Sequence, residues 1–366
     1  MVSEALQQSG LNNFDFTESK IEYAVREKPN LVFIGPSYVD MGVNPEIFDN
    51  ASMENGIRIR SFNLGIDGLS IVEMNYVLTK LLNKLPHHIR YAILSPCFEC
   101  LNVGRKTNNI RSINFFNLSN SIEFINYIFS YRFLPDPPLP RVQYIENVIS
   151  ALSRHYTNLG LGGVAFGWHD SWAHFDTIEP NFNDPSFWPN RGPRGQGLTR
   201  QTMRPQDQDA YEMDLSRIQT ERPQRINALL AASHSPEIEN LVTNAGFAFF
   251  ARLVSRLEAR GVAVFVIQPP NIWQWQYEAA FIARLHLRCG HQLPLIDYGD
   301  IATHEELYLP PSIRYDSAHL DADGAVVWSD DLARDFAHFL KAGAFEHPID
   351  CLSSPISARS APSSDG

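Results

Sequence analysis

Short apolar runs alternate with segments of helical periodicity near both ends of this chain. Leu31–Ile34 is uniformly apolar and ends at a Gly-Pro pair, which predicts a buried strand. Residues 57–62 and Tyr91–Leu94 predict two further strands. Between them, apolar residues at helical spacing predict a helix over residues 69–85. Strands that alternate with helices are typical of a parallel sheet covered on both faces.

The same alternation returns in the last third of the chain, after a long interruption. Hydrophobic periodicity there predicts, in order, a helix over 245–260, a strand over 262–267, a helix over 272–289, a strand over 293–298 and a helix over 324–340. A further helix is predicted over 18–27, before the first strand. We therefore predict a three-layer α/β/α fold with a parallel five-stranded sheet.

The interruption at about 105–240 does not follow this alternation, and we interpret it as an insertion into a single α/β domain spanning 1–347. It is aromatic at first, then rich in Gly and Trp, and finally polar. Long structureless loops are uncommon inside compact domains, so we expect it to be mainly helical. The segment 348–366 is rich in Ser and Pro and is predicted to be disordered.

Composition narrows the class of protein further. The 366 residues are 44% hydrophobic and 19% charged, which is typical of a globular protein, and the net charge of −11 argues against nucleic-acid and anionic-membrane partners. No segment approaches the roughly 20 apolar residues of a membrane span, and the N-terminal sequence does not resemble a secretory signal, so we expect a cytoplasmic protein. The four cysteines are too few for a disulfide framework. The oligomeric state stays open.

A serine follows the first predicted strand. Ligands of open parallel sheets bind beyond the carboxyl ends of the strands, so Ser37 lies where a nucleophile would lie. The alternative is that Ser37 only caps the next helix, since serine is a favoured N-cap residue.

An Asp-x-x-His motif precedes the last predicted helix. Asp316 lies three positions before His319, so the carboxylate can orient the imidazole while its far nitrogen faces a serine hydroxyl. The motif follows the last predicted strand and therefore belongs to the same sheet edge as Ser37. Gly65, after the second strand, can offer its amide beside that of Ser37 to an oxyanion, or can be a plain turn residue.

Together these motifs resemble the SGNH (GDSL-like) hydrolase superfamily. They are Gly-x-Ser after the first strand, Asn-Leu-Gly after the second and Asp-x-x-His before the last helix. The phrases KPNLVFIGPSYVDMGVNPEIFDN, VAVFVIQPPN and YDSAHLDADGA look like the bacterial branch that acts on acyl groups of cell-surface polysaccharides. The resemblance covers about 28–102 and 240–341. It implies an SGNH/flavodoxin-like fold, Ser37 as nucleophile, His319 as base, Asp316 as its partner, and the amides of Ser37 and Gly65 as oxyanion donors.

One block departs from the family pattern. The Gly-x-Asn-Asp that usually follows the third strand is replaced here by Ser95-Pro-Cys-Phe-Glu-Cys-Leu-Asn102. An oxyanion donor is typically worth ~10²–10³ in rate, so its loss weakens the expectation of a strong generic esterase. Members of that branch often lack this block.

Three tryptophans are candidate substrate-binding residues. Trp168 and Trp172 lie in the insertion and Trp273 follows a predicted strand on the same edge, where aromatic rings suit sugars or acyl chains. The alternative is that Trp168 and Trp172 pack the insertion onto the sheet and that Trp273 packs the next helix.

The sequence therefore predicts a serine acyl-ester hydrolase or O-acyltransferase that forms an acyl-serine intermediate on an acylated carbohydrate or a similar small ester. It needs no cofactor and no metal. The main alternative is a non-catalytic protein of the same fold that binds a polysaccharide. A nucleotide-binding domain is a weaker one, because no G-x-G-x-x-G or Walker motif follows the first strand.

Overall fold

A computed structural model of the chain describes residues 11–96, 202–231, 244–273, 275–289 and 294–343, with single positions between 118 and 197. The strands are β1 (Leu31–Ile34), β2 (Ser61–Asn63), β3 (Tyr91–Leu94), β4 (Ala263–Gln268) and β5 (Leu295–Asp297). The helices with described bounds are α1 (Leu11–Glu27), α2 (Ser37–Gly42), α3 (Pro45–Glu54), α4 (Ile71–Lys84), α5 (Pro205–Ala231), α6 (Asn244–Glu258), α7 (Trp275–Cys289) and α8 (Ala322–Lys341).

The five strands form one parallel sheet in the order β2-β1-β3-β4-β5. This is the flavodoxin-like order, in which the chain continues to one side of β1 and then to the other. The predicted fold class, a three-layer α/β/α fold with a parallel five-stranded sheet, is confirmed. The crevice of such a sheet lies beyond the carboxyl ends of β1 and β3, and Ser37 follows β1 directly.

Successive residues of β1 pack into two separate hydrophobic cores. Val32 and Ile34 of β1 pack into a core with α1, α4, α6 and α7, whereas Leu31 and Phe33 pack into a core with α3, α8 and part of α5. Side chains of a strand point alternately to its two faces, so an uninterrupted apolar run is what a sheet with two covered faces requires. These two cores are the physical basis of the three layers.

The second strand begins later than predicted. The alternating residues 57–60 precede the strand, which starts at Ser61 because Ser61 pairs with Leu31, the first residue of β1. No strand lies beside 57–60 in the described part of the chain. The predicted strand over 57–62 is therefore wrong over its first four residues.

Two short helices and one long one were not located by the sequence patterns. α2 and α3 follow β1, and α5 lies inside the predicted insertion, where its buried side chains pack against the second core and against α7. α5 is polar on most of its surface, so its apolar stripe is narrow.

The single-domain assignment stays a prediction, and the predicted tail at 348–366 lies outside the described residues.

Candidate active site

The turn between β1 and α2 presents Ser37 at the carboxyl edge of the sheet. A Cβ on Gly35 would lie 2.5 Å from Val39 Cγ2 and 2.9 Å from Ser95 Cβ, so this turn has no room for a side chain. The helix cap is Pro36, and Ser37 is the first helical residue. Its hydroxyl makes no capping hydrogen bond, so the interpretation of Ser37 as the N-cap is wrong.

The structure brings Ser37, His319 and Asp316 together in a hydrogen-bonded chain. His319 Nε2 lies 2.7 Å from Ser37 Oγ. His319 Nδ1 lies 2.9 Å from Asp316 Oδ1 and 3.0 Å from Oδ2. With its proton on Nδ1, the imidazole donates to the carboxylate, and Nε2 accepts from the serine hydroxyl. This is the geometry of a serine nucleophile, a general base and the group that orients the base.

Local hydrogen bonds keep Asp316 ionised. Its Oδ1 also accepts from the amides of Ala318, at 2.7 Å, and His319, at 2.8 Å. Burial alone would raise the pKa of Asp316, but the hydrogen bond and charge of His319, together with these amides, lower it below its usual value. A carboxylate that stays ionised holds the ring of His319 in one tautomer.

A buried arginine fixes the loop that carries Asp316 and His319. The side chain of Arg314 is fully buried and donates to the carbonyls of Leu307 at 2.9 Å, Pro270 at 3.0 Å and Ser317 at 3.3 Å. Its guanidinium group also lies over the rings of Tyr211 and Tyr308, with centroid distances of 5.6 and 5.4 Å. Among the described residues, Arg314 is thus held by backbone oxygens and aromatic faces, and its charge also interacts with Asp321.

The same loop is closed by backbone pairing. Arg314 forms an antiparallel bridge with Leu320, and the Tyr315 amide donates to the His319 carbonyl at 3.0 Å. Sequence reasoning missed Arg314, because an arginine between a hydrophobic residue and a tyrosine carries no local sign that it is buried.

Gly65 lies against the helix that carries Ser37. A Cβ there would meet the backbone of Asp40, at 2.3 Å from its nitrogen, so this position requires glycine. Its amide, however, donates to Asn63 Oδ1 at 2.7 Å. The predicted role of Gly65 as an oxyanion donor therefore requires Asn63 to release this amide, because in the described conformation the amide is already engaged.

Asn63 and a buried ion pair connect Gly65 to α2. The Nδ2 atom of Asn63 donates to the carbonyls of Val39, at 2.7 Å, and Val43, at 2.8 Å. Lys20 pairs with Asp40 at 2.7 Å and also donates to the Gly65 carbonyl. Asn63 was named from sequence only as the first residue of the Asn-Leu-Gly motif, and Lys20 and Asp40 were not singled out, since they lie 20 positions apart along the chain.

Aromatic rings flank His319. The ring of Tyr38 stacks on His319 with a centroid distance of 5.4 Å, and the half-exposed Tyr315 lies at 6.4 Å. Trp273 is 51% exposed, and its neighbour Ile272 donates to the Ser317 carbonyl at 3.0 Å, so Trp273 follows a segment joined to the loop that carries Asp316 and His319. Its predicted substrate contact stays a prediction. Trp168, Trp172 and the block at 97–102 lie outside the described residues.

Comparison with protein-family models gave no match, and comparison with curated proteins gave none either. Within the described ranges, no group of three or more His, Cys, Asp or Glu side chains is arranged to hold a metal ion. The helices with described residues also include none of the length and apolarity needed to cross a bilayer.

Proposed function

We propose that this protein is a serine acyl-ester hydrolase or O-acyltransferase of the SGNH type, and that its substrate is an acylated carbohydrate or a similar small ester. One observation carries the proposal: Ser37 Oγ, His319 and Asp316 form a continuous hydrogen-bonded chain at the carboxyl edge of the sheet. Ser37 is buried, with 8% of its surface exposed.

In the proposed reaction, Ser37 Oγ attacks the ester carbonyl as His319 Nε2 takes its proton. The ester carbon–oxygen bond then breaks, and His319 returns the proton to the leaving alcohol, which leaves an acyl-serine. A water molecule or a carbohydrate hydroxyl, deprotonated by His319, attacks this intermediate and frees Ser37. The first acceptor makes the protein a hydrolase and the second an acyltransferase.

A second candidate is a protein of this fold that binds a polysaccharide without reacting with it. The engaged amide of Gly65 favours this candidate, because an oxyanion hole with one donor missing loses ~10²–10³ in rate. The two candidates differ in whether Ser37 is activated.

The decisive experiment is intact-mass spectrometry after incubation with a fluorophosphonate probe. We expect one adduct on the wild type and none on Ser37→Ala. Ser317→Ala is the matched control: it removes a hydroxyl from the loop of His319 and keeps the backbone carbonyl that accepts from Arg314. It should be labelled like the wild type. A folded wild type that takes up no probe would favour the binding protein.

A nitrophenyl ester with an added oligosaccharide then separates hydrolysis from transfer. Acyl groups found on the oligosaccharide identify an acyltransferase, and acyl groups found only as free acid identify a hydrolase. Ser37→Ala controls for spontaneous hydrolysis of the ester in both assays.

A further inference from the structure

A buried polar cluster lies where β4 ends, beside the catalytic loop but outside the chain of Ser37, His319 and Asp316. Gln268 is the last residue of β4, Asn271 lies in the loop after it, and Glu278 is in the first turn of α7. All three side chains are at most 3% exposed. The proposed reaction uses none of them directly.

One hydrogen bond joins Asn271 to Glu278. Asn271 Nδ2 donates to Glu278 Oε1 at 2.7 Å. The second carboxyl oxygen, Glu278 Oε2, is buried without a hydrogen-bond partner among the described residues. An ionised carboxylate can only accept, so it would leave this oxygen charged and without a donor. A proton on Oε2 removes the charge and turns the oxygen into a donor.

We propose that Glu278 is held as a neutral carboxylic acid, and that its pair with Asn271 is a positioning element for the loop that carries Asp316 and His319. This inference rests on the proposed function for its catalytic consequence. The protonation of Glu278 does not depend on that function and can be measured separately.

The residues on either side of Asn271 provide the connection to the catalytic loop. The carbonyl of Pro270 accepts from Arg314 Nη2 at 3.0 Å, and the amide of Ile272 donates to the Ser317 carbonyl at 3.0 Å. Asn271 thus lies between two backbone groups that hold the loop, and Glu278 holds the side chain of Asn271. A shift of this segment moves the Pro270 carbonyl and the Ile272 amide, and with them the loop that carries Asp316 and His319.

The charged groups around Glu278 favour its neutral form. Its pKa is raised to about 8, chiefly by burial and also by the charge of Asp297 at the end of β5, against the opposing effects of the Asn271 hydrogen bond and of Arg222 from α5. Arg222 pairs with Asp297, at 2.6 and 2.8 Å from its two carboxylate oxygens, so it is a weak counter-charge for Glu278. Tyr308 also faces Glu278.

Gln268 does not replace the missing donor. Its side-chain amide lies close to the Glu278 carboxyl group, but Gln268 Nε2 makes no hydrogen bond of normal geometry with any described residue. When Glu278 loses its proton, a buried negative charge faces Asp297. We expect the loop to become less well positioned as the pH rises above about 8.

The experiment compares the wild type with Glu278→Gln, which keeps the size of the neutral carboxyl group and cannot ionise. The rate of fluorophosphonate modification of Ser37 is followed from about pH 6 to about pH 10, a range that brackets the pKa of Glu278. We expect the wild-type rate to fall by about tenfold above about pH 8, whereas the rate of Glu278→Gln stays level, because misplaced catalytic groups lose rate steeply. Parallel profiles for the two proteins would overturn the proposal.

Infrared spectroscopy measures the proton itself. The wild type should show the carbonyl stretch of a protonated carboxyl group at neutral pH and lose it at about pH 10. Glu278→Gln should lack that change, which assigns it. If Ser37 takes up no probe but this band is present, the proposed function fails and the protonated Glu278 stands. If the band is absent from the wild type at neutral pH, the inference fails, even when Ser37 is labelled or the variant does not fold.

Discussion

The ammonium group of Lys20 lies 2.7 Å from Oδ1 of Asp40, and both side chains are at most 2% exposed. Asp40 is three residues after Ser37 on α2, and Lys20 also donates to the carbonyl of Gly65. The pair therefore joins three segments at the proposed site: α1, the helix of the nucleophile and the loop after β2. Buried ion pairs seldom add net stability, but they define which groups lie together.

We predict that breaking this pair from one side is costly. Asp40→Asn removes the negative charge that lies 2.7 Å from the buried ammonium group of Lys20, and the free energy of unfolding should fall by about 3–5 kcal/mol. The double variant Lys20→Met/Asp40→Leu should lose less than Asp40→Asn alone, because it removes both charges of the pair. Urea unfolding of the three proteins measures both differences. Equal losses for the single and the double variant would show that packing, and not charge, dominates here.

Gly65→Ala should move α2. The added Cβ would lie 2.3 Å from the Asp40 nitrogen, so the backbone has to shift, and overpacking of this kind costs about 1–3 kcal/mol. Modification of Ser37 should slow by about 10²-fold, because a displacement of about 1 Å has that effect on positioned groups.

Gly261→Ala is the matched control for this substitution. Its φ of 76° makes alanine strained by about 1–2 kcal/mol, but no atom lies within 4 Å of the added Cβ. It should therefore destabilise the protein and leave the modification of Ser37 unchanged. Equal rates for Gly65→Ala and the wild type would contradict the close packing of Gly65 on α2.

Asp316→Asn should remove most of the reactivity of Ser37 without unfolding the protein. The amide of asparagine can leave His319 in the wrong tautomer, and loss of the carboxylate in such a chain lowers the rate by about 10³–10⁴. Rates of fluorophosphonate modification measure the effect. Asp323→Asn, which removes an exposed carboxylate in the first turn of α8, should change the rate by less than about twofold. A wild-type rate in Asp316→Asn would exclude the proposed role of Asp316.

The stability of the wild type relative to Glu278→Gln should depend on pH with a definite sign. The pKa of Glu278 is raised from 4.5 to about 8 on folding, so the folded protein binds the proton more tightly than the unfolded chain. The free energy of unfolding of the wild type, relative to that of Glu278→Gln, is therefore highest below about pH 4. It decreases as the pH rises to about 8, by a total on the order of 3–5 kcal/mol.

Above about pH 8 the difference should be constant, since the carboxyl group is then ionised in both states. Denaturant unfolding of both proteins at a series of pH values measures this curve. A difference that does not change with pH would mean that Glu278 titrates alike in the folded and the unfolded protein.

The elements that the sequence predicts well are those with strong local patterns. The apolar runs of β1 and β3 have the bounds that the structure shows, and the amphipathic α8 begins within two residues of the prediction. α2 was not predicted, because a six-residue helix offers too few positions for a periodic pattern. The start of β2 depends on where its partner β1 begins, which is a property of the register.

For the candidate site, the sequence alone determined which residues have side chains suited to a nucleophile, a base and its partner. Ser37 follows a predicted strand, and Asp316 and His319 form a short motif before the last predicted helix. Tertiary structure decided what surrounds them: Arg314 under the loop, Asn63 on the amide of Gly65, and Lys20 against Asp40. These contacts join polar groups far apart along the chain, as the 282 positions between Ser37 and His319 illustrate. Local periodicity reports which face of an element is buried, but the partner of a buried charge is selected by distance in the folded chain.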